Sequence, residues 1–213
     1  GSEMCIRDSL SPFDYIRTVM RTQKTLTYAQ SRLYVVTAAA VLEEDAALMQ
    51  ECMLDFDLVL QPATGRGDGV HEDYVYLNHA VYPLIGMYGT DVLLQRLVNT
   101  ASILAGTKFE ITSSQKYNQA LWMYNTFDPV MYNGSMFASV NGRVPESGEG
   151  YGRNVVKGAL DLLGSFSPDD DLKMKQIIRR HVTEKNLDLM VSDMNIKQIG
   201  QLLEVLGDDT LPE

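Results

Sequence analysis

The sequence predicts an all-α protein built from antiparallel helix pairs, with two long loops set between them. Three observations carry this. Apolar residues recur at helical spacing over most of the chain, capping residues punctuate it, and strand signals are weak and short. Helix pairs follow one another at a loose spacing of about 40–50 residues without a strict repeat, the pattern of a helical toroid or solenoid.

The strongest periodic segment runs from Thr27 to Leu60. Leu33, Val36, Ala40 and Val41 form a helical stripe. Glu43-Glu44-Asp45 is a polar break, and Asp45 suits an N-cap. A second helix then carries Ala47, Leu48, Met53, Leu54 and Leu58. The stretch Pro62–Gly69 holds three glycines in eight residues and cannot be a helix interior. An aromatic patch follows with Tyr74, Tyr76 and Asn78-His79, then Pro83, Gly86 and Met87-Tyr88-Gly89. A helix is expected over Asp91–Leu104, with Val92, Leu93, Leu97, Val98 and Ile103 inward and Gly106 closing it. Another is expected over Ser114–Thr126, striped by Tyr117, Leu121 and Tyr124. The stretch Phe127–Gly152, with five glycines, reads as irregular. Helices then follow over Asn154–Phe166, from Pro168 to Lys185 with Ser167 as N-cap, and over Asn195–Leu206 ended by Gly207. Long loops in a compact domain are functional or disordered. These two hold aromatic, His, Arg and Gly residues, which favours function.

The chain has 213 residues, enough for one large domain or a piece of a larger one. Residues 1–10 read as a sequence-edge artefact or a disordered tail, and residues 11–213 as a partial toroid domain. Apolar residues make up 45% and charged residues 22%, which excludes wholesale disorder. Against 28 Asp and Glu stand 18 Lys and Arg, a formal charge of −10 that argues against a nucleic-acid surface. No apolar run approaches the roughly 18 residues of a membrane helix. An anionic ligand would need a local cationic pocket. Cys5 and Cys52 are too few for a disulfide scaffold and share no metal-ligand spacing with His71, His79 or His181. His71 and Glu72, near Asp68 and Asp73, read as solvated loop polarity and not as a metal site. Asp169-Asp170-Asp171 is a helix start, not a calcium loop. His181, after Arg179-Arg180, is expected at the surface. Trp122, Tyr117 and Tyr124 are expected in the core, not as sugar platforms.

His79 and Tyr88 are nine residues apart. On one straight helix, nine steps of about 100° put them on opposite faces. They meet only if the chain bends between them. Pro83 and Gly86 permit such a bend.

The segment Asp73-Tyr74-Val75-Tyr76-Leu77-Asn78-His79, followed by Tyr88-Gly89, resembles an element of the polysaccharide lyase family that contains chondroitin AC, hyaluronate and xanthan lyases. A second element of that family is similar to Tyr132-Asn133-Gly134-Ser135-Met136-Phe137 with Asn141-Gly142-Arg143. The resemblance covers roughly Thr27 to Gly207 and implies an incomplete α/α toroid, a portion of a catalytic domain. It also implies β-elimination on a uronic-acid-containing, acidic polysaccharide. The proton on C5, beside the carboxylate, is weakly acidic, so donors must stabilise the developing charge. A base takes that proton and an acid protonates the leaving oxygen. A phenol, ordinarily near pKa ~10, does both once cations lower it. By the resemblance Tyr88 is the acid/base, His79 assists it or orients the carboxylate, Arg143 contacts substrate and Tyr88, and Asn78 binds substrate. No cofactor or metal is implied. A secreted or periplasmic location and downstream β-sandwich domains are implied by the family alone.

Two departures stand out. The family's carboxylate-neutralising Asn corresponds to Gln30, in Thr27-Tyr28-Ala29-Gln30-Ser31, with the same amide one methylene further out. A second family Arg, four residues after the first, is Ser147 here. Either the substrate differs, another Arg such as Arg66 or Arg153 compensates, or activity is weakened. A non-catalytic carbohydrate-binding toroid is the alternative reading. A glycoside hydrolase would need a carboxylate pair across the groove, and Glu72 and Asp73 are adjacent.

Overall fold

The structure, a computed structural model, describes residues 26–79 and 81–211, and of residues 26–31 the backbone alone. Helices α1 (Leu26–Leu42) and α2 (Ala46–Val59) form the first hairpin. Asp45 caps α2, its carboxylate accepting from the N–H groups of Ala47 and Leu48, both at 3.0 Å. Leu33, Val36, Ala40, Leu48, Cys52, Phe56 and Val59 are buried. Arg32 donates from Nε to Asp55 Oδ2 at 3.1 Å and forms an ion pair with the same carboxylate. Burial pushes the Asp55 carboxyl above its ordinary range, and Arg32 offsets part of that.

Two short hairpins interrupt the helices: β1 (Gly69–Val70) with β2 (Tyr76–Leu77), and β3 (Met131–Tyr132) with β4 (Ser135–Met136). Between them lie a π-helix (Ile85–Leu94) that runs on as α3 (Gln95–Leu104), and α4 (Ser113–Trp122), which ends in a π-helical turn (Met123–Phe127). Helices α5 (Gly148–Leu162), α6 (Pro168–His181), the short α7 (Leu187–Val191) and α8 (Ile196–Leu206) complete the array. Capping boxes start α4 at Thr112 with Gln115 and α8 at Asn195 with Gln198. Ser167 caps α6 through the Asp170 N–H. Helix α5 is the central one; Val155, Val156, Ala159 and Leu160 are wholly enclosed. No described helix is long and apolar enough to cross a membrane.

The all-α, incomplete α/α-toroid architecture is as the sequence predicts; several details differ. The expected helix over Asp91–Leu104 begins earlier, as a π-helix. Its inward residues Ile85, Gly86, Gly89, Thr90, Leu93 and Leu94 recur every fourth position in pairs, as a wider helix requires. Ile103 is exposed. Six residues beyond Leu97, it lies roughly 120° off that residue's line. Val41 also faces outward, since Leu33, Val36 and Ala40 form the buried stripe of α1, and so do Leu54 and Leu58, since Leu48, Cys52, Phe56 and Val59 form that of α2. Tyr117 is exposed, whereas Trp122 is buried and Tyr124 donates to Asp170 at 3.2 Å. The helix expected from Asn154 starts at Gly148, since tight packing against β4 favours glycine despite its poor helix propensity. The α6 helix stops at His181, where Asn186 Nδ2 donates to the His181 carbonyl at 2.9 Å.

Candidate active site

The His79 turn is built by a narrow backbone bridge. Asn78 and Tyr82 exchange both backbone hydrogen bonds, at 2.9 and 3.1 Å, so the chain reverses across His79. His79 takes a left-handed φ of 50°. Such a conformation is uncommon outside glycine, less so for His, and is a form of strain found at functional sites. The chain then passes Pro83 and enters the π-helix. There the Leu84 carbonyl accepts from the N–H groups of both Tyr88 and Gly89, each at 3.1 Å. The bend between His79 and Tyr88 therefore sits at the His79 turn, and Gly86 lies inside the helix with an ordinary backbone.

This route brings the two side chains together. The His79 and Tyr88 rings stand edge to face, with centroids 6.0 Å apart and planes at 84°. That geometry is favoured between aromatic rings. His79 is exposed and Tyr88 half-buried, so the pair meets at the surface and not in a dry interior.

The Asn141-Gly142-Arg143 turn packs against the start of the same π-helix. Gly142 has φ +72°, and a β-carbon there would lie 2.9 Å from Leu84 Cδ2 and 4.0 Å from Met87 Cβ. Arg143 therefore follows directly on a turn seated against the helix that carries Tyr88. It is exposed and forms no ion pair with a described residue. Asn141 is 0% exposed; its Nδ2 donates to the Pro145 carbonyl at 3.1 Å, and its Oδ1 has no hydrogen-bond partner among the described residues.

The remaining predicted residues are placed differently from His79. Asn78 is 1% exposed, with its Nδ2 3.5 Å from the Tyr76 hydroxyl. It shapes the turn beneath His79 and offers little surface to a sugar. Gln30 lies in α1, and its side chain lies outside the described residues. Ser147 precedes α5 and hydrogen-bonds Tyr151, whose phenol is pushed up by burial and by the charges of Asp91 and Glu146. Of the two arginines that could compensate, Arg153 is engaged. It donates to the Leu189 carbonyl at 3.2 Å and to Ser192 at 2.8 Å, and pairs with Asp193 at 3.3 Å.

His181 corrects the sequence expectation of a surface residue: it is 1% exposed. The inner face of α6 runs Met174, Ile177, Ile178, His181, a helical spacing that leaves Arg180 outside. His181 Nδ1 accepts from the Gly134 N–H at 3.3 Å, so Nε2 carries the proton and donates to Asp128 at 2.8 Å. Arg180 pairs with the other Asp128 oxygen. This cluster fastens the β3–β4 hairpin, and with it the segment leading to Arg143. The signal for it was the seven-residue interval from Met174. Of the two residues that close around Gly86, Asn141 was marked in the sequence only by its place beside Gly142, and Tyr151 carried no signal.

Residues 32–180 match the polysaccharide lyase family 8 N-terminal α-helical domain. Xanthan lyase of Bacillus sp. (strain GL1) is 27% identical over 183 residues, covering 82% of this chain and 19% of that protein. Hyaluronate lyase HylA of Cutibacterium acnes is 34% identical over 152 residues, covering 70% of this chain and 18% of that protein. The structure of Paenibacillus xanthan lyase superposes with a TM-score of 0.77 at 20% identity, covering 98% of this chain and 21% of that one. Streptomyces coelicolor A3 chondroitin AC lyase in complex with chondroitin sulphate gives 0.74 at 19% identity, covering 90% and 28%. The chain thus spans about a fifth of the length of the curated relatives it matches. The match over most of the helical array makes this chain a member of polysaccharide lyase family 8, corresponding to part of that family's N-terminal α-helical domain.

Proposed function

We propose that the full-length protein cleaves a uronic-acid-containing polysaccharide by β-elimination and that this chain carries its acid/base centre. The observation that carries the reading is the edge-to-face approach of His79 and Tyr88 at the surface, with the Arg143 turn seated against the same helix.

In this reading the uronate carboxylate is neutralised by amide and cationic donors, with Gln30 and Arg143 as the groups assigned. That stabilises negative charge developing beside C5. The Tyr88 oxygen takes the C5 proton. The electron pair of the broken C–H bond forms the C4–C5 double bond, the bond from C4 to the glycosidic oxygen breaks, and Tyr88 returns a proton to that oxygen. The Tyr88 oxygen ends as it began, as the phenolate that accepts the proton and then gives it up. His79 packs edge to face against the phenol, and Asn78 supports the turn that holds His79. The chemistry consumes no redox equivalent and calls on no cofactor.

An acidic substrate is supported by the names of the relatives and by the chain complexed with chondroitin sulphate. Export from the cytoplasm and β-sandwich domains after the helical one belong to the same proposal. The test is Tyr88→Phe in the full-length protein, assayed on hyaluronan, chondroitin sulphate and xanthan by the ultraviolet absorbance of unsaturated uronate. Loss of product with retained polysaccharide binding is expected; undiminished product formation rejects the role of Tyr88.

A non-catalytic carbohydrate-binding toroid is the second reading, favoured by Ser147 standing where the family's second Arg is expected. Binding without any unsaturated product in the wild-type full-length protein would select it.

A further inference from the structure

Beside the His79 turn runs an open groove of about 710 Å³, within the size range of small-ligand sites. Val75, Leu77 and Val81 give it apolar lining, and Arg66, Glu72 and Asp73 give it charge. Leu77 and Val81 flank the turn that holds His79, so one hairpin separates the groove from the candidate acid/base pair.

We infer that this groove is a neighbouring sugar subsite and that Arg66 is its specificity-determining residue, binding an acidic group on the sugar next to the one cleaved. The inference rests on the lyase reading. Arg66 carries the only formal positive charge among the residues lining the groove, and it has no ion-pair partner among the described residues. Its loop is held in place: the Ala63 N–H donates to the Val70 carbonyl at 2.7 Å, and His71 Nε2 donates to the Gly67 carbonyl at 2.8 Å. A guanidinium on a fixed loop binds a carboxylate or sulfate with less ordering cost. The two acids lining the groove differ. Asp73 is engaged, accepting from the Val75 N–H at 3.1 Å, whereas Glu72 is exposed. Arg153, the other replacement for the guanidinium missing at Ser147, is tied to Leu189, Ser192 and Asp193.

The experiment measures binding of a uronate-containing tetrasaccharide, and of its carboxyl-reduced counterpart, to the full-length Tyr88→Phe protein by calorimetry, with and without Arg66→Ala. Removing a charge-assisted contact should weaken the acidic tetrasaccharide about tenfold or more and leave the reduced one unchanged. Glu72→Gln should tighten the acidic one. On the Tyr88 background, Arg66→Ala should raise KM and leave kcat unchanged. Equal weakening of both tetrasaccharides, or no weakening, overturns the inference. A wild-type protein that binds, responds to Arg66→Ala and yet makes no unsaturated product removes the lyase reading and leaves the subsite. Product formation with an unaltered KM in Arg66→Ala does the reverse.

Discussion

A β-carbon placed on Gly86 would lie 2.5 Å from Oδ1 of Asn141 and 2.7 Å from Cδ2 of Tyr151. Both neighbours are buried, so neither has room to retreat. The π-helix carrying Tyr88 and the turn carrying Arg143 are therefore kept in register by the absence of one methyl group. Helix propensity alone would favour alanine at this position by about 1 kcal/mol. Overpacking opposes it with about 1–3 kcal/mol. Gly86→Ala is expected to lower the melting temperature and to separate the two halves of the site; a rise in melting temperature would contradict the packing.

The cluster around His181 makes a second prediction. His181→Ala deletes a side chain that is bonded to Asp128 and to the Gly134 N–H, leaving that N–H without its acceptor. The loss should be about 1–3 kcal/mol in chemical denaturation. Hydrogen exchange should rise first in residues 131–136, the hairpin that the imidazole fastens. Uniform exchange across the molecule would argue that the hairpin is held by other means.

Cys52 supplies a third. Burial pushes its thiol up to about 11, with the Asp55 charge adding to the rise and the Thr37 hydrogen bond opposing it. At pH 8 only about one molecule in a thousand would carry the thiolate, the reactive form. In a Cys5→Ser background, Cys52 should resist a disulfide reagent in the native protein and react stoichiometrically in denaturant. Rapid native labelling would refute the enclosed position.

The acid side of the stability profile gives a fourth. The Glu110 carboxyl is held below the usual carboxylate range by the Lys116 hydrogen bond, the Gly106 N–H and the Lys116 charge. A folded value below the unfolded one means that its contribution is complete above the ordinary glutamate range, near pH ~4.3, and is lost as pH falls through the lower folded value. Glu110→Gln should flatten the stability profile in that window and nowhere else. An unchanged slope there would show the ion pair to be idle.

The caps were legible without coordinates. Asp45 and Ser167 each sit before an apolar-periodic run, and each accepts the N–H bonds expected of it. Local chemistry decides a cap, so local sequence reveals it. The nine-residue interval from His79 to Tyr88 was legible as a demand for a bend, because helical geometry forbids their meeting otherwise. Its location was not legible. Pro83 and Gly86 pointed one turn too late, since the bend rests on a left-handed φ at His79 and a backbone bridge from Asn78 to Tyr82. A non-glycine residue in that conformation carries no mark in composition or periodicity.

By itself the sequence determined the helical class, the order of the helices, the caps and the residues whose spacing resembles a lyase centre. These depend on periodicity and on contacts within a few residues. Tertiary structure alone decided that Ile103 and Leu54 face outward, that His181 is enclosed against Asp128, that Asn78 supports a turn and that Arg153 is spent on its neighbours while Arg66 is not. His181 and Arg153 are settled by partners dozens of residues away, and Asn78 by a backbone bridge to Tyr82 across a left-handed turn. Spacing along a chain fixes which residues share a face, and only packing decides what that face meets.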